Sequence, residues 1–287
     1  LVIEPYLQTV VIGGGFLRYG GTAAQKEENL ADLIGGERRY AFAYSEPKSR
    51  YDLNDVSTTA RKDGKGFVLN GHKALIVTAR TSGAQRDAAG VTVFLVPKNA
   101  KGVSTRDYPT VDGLRASEIY FENVSVDASA VVGEVDNGMP LIEKVVDEAI
   151  AAVCAEAIGC FKVLNEATIA YAKQRKQFGQ PIANFQVLQH RMVDMFMAAE
   201  QATSMTYMVT LKLGEPDRQR KLAASGAKVQ IGKAGKLISQ DAVQIHGGMG
   251  MTDELNVGHF FKRVTMIESQ FGNTDWHLRR YTELSAT

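Results

Sequence analysis

Ala242-Val243-Gln244-Ile245-His246-Gly247-Gly248-Met249-Gly250-Met251-Thr252 closes a long amphipathic run and opens into a glycine-rich turn. Upstream, Ala227, Ile231, Ala234, Ile238, Ala242 and Ile245 recur every three or four residues, the spacing of a helix with one buried face. Gly247 and Gly248 stop that helix, because glycine takes the left-handed conformation a helix C-terminus needs. Without side chains they also let main-chain N–H groups approach a ligand closely. Two readings stand here, a plain helix end and a ligand-facing turn.

A second segment bears on the choice: Tyr171-Ala172-Lys173-Gln174-Arg175-Lys176-Gln177-Phe178-Gly179-Gln180-Pro181-Ile182, followed by Phe185-Gln186. An arginine can fork onto phosphate, and a phenylalanine ring can lie on an adenine. A glutamine and a glycine backbone supply neutral hydrogen bonds. Together the two segments resemble the C-terminal domain of acyl-CoA dehydrogenases, with its Arg-x-x-Phe-Gly and Gln-Ile-x-Gly-Gly patterns. The resemblance covers the whole chain. It implies FAD as cofactor, with Arg175, Gln177, Phe178, Phe185, Gln186, Gln244, Gly247 and Gly248 at the pyrophosphate and adenine end of a flavin held mainly by a neighbouring subunit.

The chain has 287 residues, 45% of them hydrophobic, enough for a sizeable core and more than one domain. With 33 basic and 32 acidic residues the net charge is +1, which supports neither a nucleic-acid nor a polybasic membrane role. No run reaches the length of a transmembrane helix. Cys154 and Cys160 lie six apart on one predicted helix, a spacing that suits neither a disulfide nor a metal site, so both read as small core residues of a cytoplasmic protein. The sequence begins at Leu1 without a signal peptide, and its start reads as the tail of a helical domain of a longer protein.

The expected class is α+β, in three parts. Residues 1–39 form the remnant of an N-terminal helical domain, with helices over Pro5 to Tyr19 and Ala23 to Ile34. Gly13-Gly14-Gly15 within the first either pack against a backbone or admit a ligand. Residues 40–136 form a small antiparallel β-barrel-like or sandwich domain. Its strand-like runs are Phe67-Val68-Leu69, Leu75-Ile76-Val77, Val91 to Val96 and Glu118 to Phe121, with Asn70-Gly71 as a hairpin turn. Residues 137–287 form a helical bundle. One long helix covers Gly138 to Gln174. A second carries the apolar seam Leu188, Met192, Met195, Ala199, Ala202, Thr206, Val209 and Leu213. A third runs into Gln244, and a fourth covers Thr274 to Glu283.

The resemblance places the isoalloxazine contacts on Phe42-Ala43-Tyr44-Ser45-Glu46-Pro47, so Phe42, Tyr44 and Ser45 are expected at the flavin. It aligns Lys73-Ala74-Leu75-Ile76-Val77-Thr78 with a Lys-x-Trp-Ile-Thr-Asn patch. There Leu75 replaces the ring-stacking Trp, and Val77 replaces the Thr that meets flavin N5. A methyl cannot replace that hydroxyl as a donor. The family's catalytic Glu falls on Gly272 in Phe271-Gly272-Asn273-Thr274, with Thr274 at the cofactor. The alternative position, on the long helix, falls on Ala149. Glu148, Glu156, Glu268 and Asp275 are the nearby carboxylates, each readable as a surface or ion-paired charge, and the catalytic base is unassigned.

Asp-x-Ala-x-Ala-Ala-x-Cys-Ala-Glu-Ala, Phe-Gln-x-Leu-Gln-His-Arg-Met and Phe-Gly-Asn-Thr-Asp-x-His-Leu resemble small subunits of heteromeric acyl-CoA dehydrogenases, of which pimeloyl-CoA dehydrogenase is one. That resemblance implies α,β-desaturation of an acyl-CoA thioester by a homo- or hetero-oligomer, in fatty acid or dicarboxylate degradation, with electron-transfer flavoprotein as acceptor. It also leaves a non-catalytic subunit completing another chain's flavin site. The five histidines show no metal spacing. His246 offers a phosphate contact or a packed helix end. Lys262-Arg263 offers a CoA phosphate contact or a solvated charged face.

Overall fold

The computed structural model describes residues 4–46, 48–72 and 76–286. The chain divides into two compact units. One contains the residues up to 110 together with 114–149, and the other 111–113 together with 150–286.

In the mixed unit a π-helical stretch, Leu7–Gly13, passes directly into α1 (Gly14–Gly20). The three glycines pack. A Cβ on Gly13 would lie 2.5 Å from that of Tyr40, and one on Gly15 would lie 3.4 Å from Val145. Helix α2 (Ala23–Ile34) has the predicted bounds. Thr22 and Gln25 cap it reciprocally, a pairing that satisfies two otherwise orphan N–H groups. The Gln25 amide also donates to the carbonyls of Ser129 and Val131, tying the helix to the end of the sheet.

The sheet holds β1 (Phe42–Ala43), β2 (Thr59–Asp63), β3 (Gly66–His72), β4 (Ile76–Arg80), β5 (Val91–Leu95), β6 (Val103–Pro109), β7 (Arg115–Asp127) and β8 (Val131–Val132). The order is β6-β7-β3-β2-β4-β5-β8, with β1 beside β4. Pairing is antiparallel except at β1–β4 and β2–β4, which are parallel, so the expected all-antiparallel domain is a mixed one. One face closes on Phe67, Leu69, Val77, Ala79, Phe94, Ile119 and Phe121. Alternation by two puts these residues on one side of each strand.

Asn70-Gly71 does not form the predicted hairpin. The β2–β3 turn comes earlier, between Asp63 and Gly66. Asn70-Gly71 instead marks a bulge in β3 opposite β7, where the register shifts between Leu69 and Gly71. Asn70 accepts the Asn123 N–H at 2.7 Å, and a Cβ on Gly71 would overlap Thr58. The glycine is there for space, and the Asn side chain holds the partner strand.

The helical unit takes the C-terminal part of α3 (Met139–Gln174), then α4 (Gln186–Lys212), α5 (Asp217–His246), α6 (Asn256–Ser269) and α7 (Thr274–Ala286). Helix α5 touches α4, α6 and α7. Its predicted stripe is buried throughout: Ala227, Ile231, Ala234, Ile238, Ala242 and Ile245 are all at most 7% exposed. Burial of Ile231 and Ile238 contributes about 1.5–3 kcal/mol each. Gly235 lies where α5 meets its neighbours, since a Cβ there would be 2.8 Å from Val264 and 3.5 Å from Phe161. The α4 seam is buried at Met195, Ala199, Ala202, Thr206 and Val209. The opposite face of α4 exposes Val193, Phe196, Met197, Tyr207 and Leu211. Cys154 and Cys160 are buried free thiols, and burial pushes them up to about 12 and about 11.

Candidate functional site

The two motifs meet at one end of the helical unit. Tyr171, one turn before Arg175, stacks on His246 with ring centroids 4.4 Å apart. That contact joins the end of α3 to the end of α5. His246 is 5% exposed, and its Nδ1–H donates to the Ala242 carbonyl at 2.8 Å. It is a packed residue at the helix end. Gly247 follows with φ 62°, and neither Gly247 nor Gly248 has any atom within 4 Å of where a Cβ would be.

After Arg175 the chain forms a tight hairpin, β9 (Lys176–Gln177) against β10 (Gln180–Pro181). Its two turn residues are Phe178 at φ 54° and Gly179 at φ 80°. Both central residues of such a turn need positive φ, which suits Asn-Gly and disfavours a bulky side chain. A non-glycine residue there costs about 1–2 kcal/mol. Despite that cost Phe178 is 91% exposed, with the Phe185 ring edge-on at 6.1 Å. Arg175 and Gln244 are exposed, and neither side chain has a partner among the described residues. Gln186, the first residue of α4, and Gln177 are also exposed.

Among the flavin-ring positions, Phe42 is buried, 4.8 Å from the Phe16 ring and 5.4 Å from that of Tyr44. Ser45 is exposed. Glu46 is a structural carboxylate. It accepts the N–H groups of Ser57 at 2.8 Å and Thr58 at 3.0 Å. The Val77 side chain is fully buried in the β core opposite Phe94, so any cofactor contact there falls to its main chain. Pro47, Lys73, Ala74 and Leu75 lie outside the described residues.

Of the carboxylates near the two base positions, Glu148 and Glu156 are ion-paired elsewhere. Ala149 is in the core. Glu148 takes Arg18 and the Tyr19 hydroxyl. Glu156 pairs with Arg263, which also bonds Asp112 at 2.8 Å. Arg263 is therefore neither a solvated charge nor a free phosphate ligand. Burial alone would lower its guanidinium pKa, and the two carboxylates more than offset that. Glu268 Oε1 accepts the N–H of Thr274 at 3.0 Å and its hydroxyl at 2.8 Å, capping α7, while Oε2 is buried without a hydrogen bond. Asp275 is exposed in the first turn of α7, where the helix dipole favours it.

Gly272 itself has φ 114°. Its carbonyl accepts from Lys228 Nζ, as do those of Ile267 and Glu268, all at 2.8–2.9 Å. Burial pushes Lys228 down to about 8 against the pull of Glu268. His277, fully buried, donates from Nε2 to the Phe271 carbonyl at 3.0 Å and accepts from the Ser225 hydroxyl at Nδ1. Burial first, then the charges of Lys228 and Arg280, push it down to about 2, so it is a neutral ring. Sequence reasoning missed this cluster. Its signal was a lysine on the apolar stripe of α5.

Comparison with known proteins gives the family. The acyl-CoA dehydrogenase C-terminal domain matches residues 136–283, and the middle domain of the same enzymes matches 41–124. The chain belongs to the acyl-CoA dehydrogenase family. It is 33% identical over 278 residues to a 3-(aryl)acrylate reductase of Clostridium sporogenes, covering 92% of this chain and 73% of that protein. It is 32% identical over 263 residues to the caffeyl-CoA reductase-Etf complex subunit CarC of Acetobacterium woodii, covering 88% and 69%. The butyryl-CoA dehydrogenase of Megasphaera elsdenii superposes with a TM-score of 0.90 at 26% identity, over 98% of this chain and 76% of that one. Members of the family are FAD-dependent oxidoreductases. The distal half of an FAD fits the residues present: an unpaired guanidinium, an exposed ring and open glycines at one end of the helical unit.

Proposed function

We propose that this chain is a subunit of an acyl-CoA dehydrogenase that desaturates an acyl-CoA thioester between Cα and Cβ, and that it works with an unlike, larger subunit. The observation that carries this reading is the Phe178 turn. A strained, exposed ring beside an unpaired Arg175 makes sense as a surface that receives a ligand held largely by another chain. FAD held here would supply the acceptor for the hydride that leaves the substrate's Cβ. Arg175 would fork onto its pyrophosphate, Phe178 would cover the adenine, and Gln244 with the Gly247-Gly248 backbone would complete the polar contacts. Ser45, exposed next to the stacked Phe42–Tyr44 pair in the chain, would offer a hydroxyl to the flavin ring.

The unlike partner is favoured because neither Gly272 nor Ala149 can accept the α-proton, and a positioned base contributes roughly 10²–10⁴-fold. The exposed apolar face of α4 supports an oligomer built on this bundle. Electron-transfer flavoprotein is the proposed acceptor, and the cytoplasm the proposed location. No helix among the described residues is long and apolar enough to cross a membrane. Sedimentation with flavin absorbance tests the shared site: a dimer or dimer of dimers is expected to carry the flavin, and a monomer retaining stoichiometric FAD would refute it.

A further inference from the structure

The reading of a subunit without its own base leaves open whether the gap at Gly272 is an accident of one residue. We propose that the Phe271–Asn273 turn is a built block, which keeps this chain's substrate site without a carboxylate and leaves proton abstraction to sites whose base an unlike chain carries.

Three observations converge on the turn. Its backbone is in the left-handed region at two successive residues, Phe271 at φ 57° and Gly272 at φ 114°. A glutamate at the second would be strained in any surroundings. The space is also filled. A Cβ on Gly272 would stand 2.6 Å from Cε3 of Trp276, 2.7 Å from Nε2 of His277 and 3.0 Å from its Cδ2. Those are overlaps with atoms of rigid aromatic rings, which cannot bend aside as the end of a flexible side chain can.

Nor can the neighbours retreat without loss. The His277 ring is held at both nitrogens, by the Phe271 carbonyl and by the Ser225 hydroxyl, and lies edge-on to Trp276 at 4.8 Å. On the other side Lys228 spends all three ammonium donors on the carbonyls of Ile267, Glu268 and Gly272. Moving the turn would strand a buried cation and its carbonyls. Glu268, the carboxylate closest in sequence on the α6 side, is tied to the start of α7 by Thr274 on Oε1, with Oε2 buried and without a hydrogen bond among the described residues. The turn is thus clamped from α5 by Lys228 and from α7 by His277.

Three variants of the flavin-loaded chain test the block. Gly272→Ala is expected to melt about 5 °C or more below the parent, because one methyl meets both the φ penalty and the overlap. In a His277→Ala background the same alanine should cost fewer degrees, because the overlap with that ring is gone while the Trp276 overlap and the φ penalty remain. Gly272→Glu should gain no turnover on butyryl-CoA with a dye acceptor. A Gly272→Ala protein melting within about 1 °C of the parent overturns the proposal. So does a gain of about tenfold or more in Gly272→Glu turnover. Fast turnover by the unaltered lone chain would instead break the functional proposal, and the melting temperatures would still report on the turn.

Discussion

The same dipeptide, with positive φ at both residues, occurs twice with opposite surroundings. Phe178-Gly179 has φ 54° and 80°, and Phe271-Gly272 has φ 57° and 114°. At the first, the ring is 91% exposed and the glycine has open space where a Cβ would go. At the second, the ring is 4% exposed and the glycine is pressed against Trp276 and His277. A left-handed phenylalanine is costly in both places, so something must hold each. In the closed turn, buried polar contacts from Lys228 and His277 do so. The open hairpin has a two-residue turn and an edge-on Phe185, and its strain fits a surface that waits for a ligand. A strained backbone alone does not tell a binding site from a sealed one. The space around it does.

Substitutions can break this contrast, starting with the largest effect. Lys228→Met should destabilise the chain by about 3 kcal/mol or more, since it strands three buried carbonyls. Chemical denaturation would show it, and a loss under about 1 kcal/mol would mean the turn stands without its clamp. Arg175→Ala should leave stability alone and weaken FAD binding by about 1.5–3 kcal/mol. Unchanged flavin retention on dilution would make Arg175 a plain surface charge.

Next is pH. His277 is neutral when folded, with its pKa depressed to about 2 from 6.5, so its contribution is full above pH 6.5 and is lost as pH falls below that. As pH falls below 6.5 the loss steepens, reaching about 1.4 kcal/mol per unit below about pH 5.5 from this group. A His277→Gln variant should lack that part of the slope, and parallel slopes in the two proteins would contradict a buried neutral ring. The smallest effect is at the open turn. Phe178→Asn should stabilise the chain by about 1 kcal/mol, because asparagine tolerates the left-handed region, while flavin is held less tightly. Tighter flavin binding in that variant would remove the ring from the site.

Helices α2, α4 and α5 were legible in the sequence because each carries a continuous apolar stripe between clear stops. Helix α6 was not read, although Val257, Val264 and Ile267 keep helical spacing, because Lys262-Arg263 in its middle reads as a charged face. Arg263 is in fact buried on Glu156 and Asp112, pairs that lie 107 and 151 residues away and leave no local trace. Strands β2 and β6 were missed because their side chains are mostly exposed and polar. Asn70-Gly71 misled because a bulge and a hairpin use the same residues. Of the site, the paired motifs were legible from residue types. The closed state of the Gly272 turn was not, since it depends on a lysine from α5 and a histidine from α7 meeting there.

Central to this reading is a chain that receives flavin at an open end and lacks a base at a closed one. The most direct measurement is the steady-state rate of the lone, flavin-loaded chain on butyryl-CoA with a dye acceptor. A typical enzyme turns over at about 10 s⁻¹, and loss of the base removes roughly 10²–10⁴-fold, so kcat should be below about 0.1 s⁻¹. A kcat of about 1 s⁻¹ or more, abolished by Glu268→Gln, would contradict it and make the α7-capping carboxylate the base.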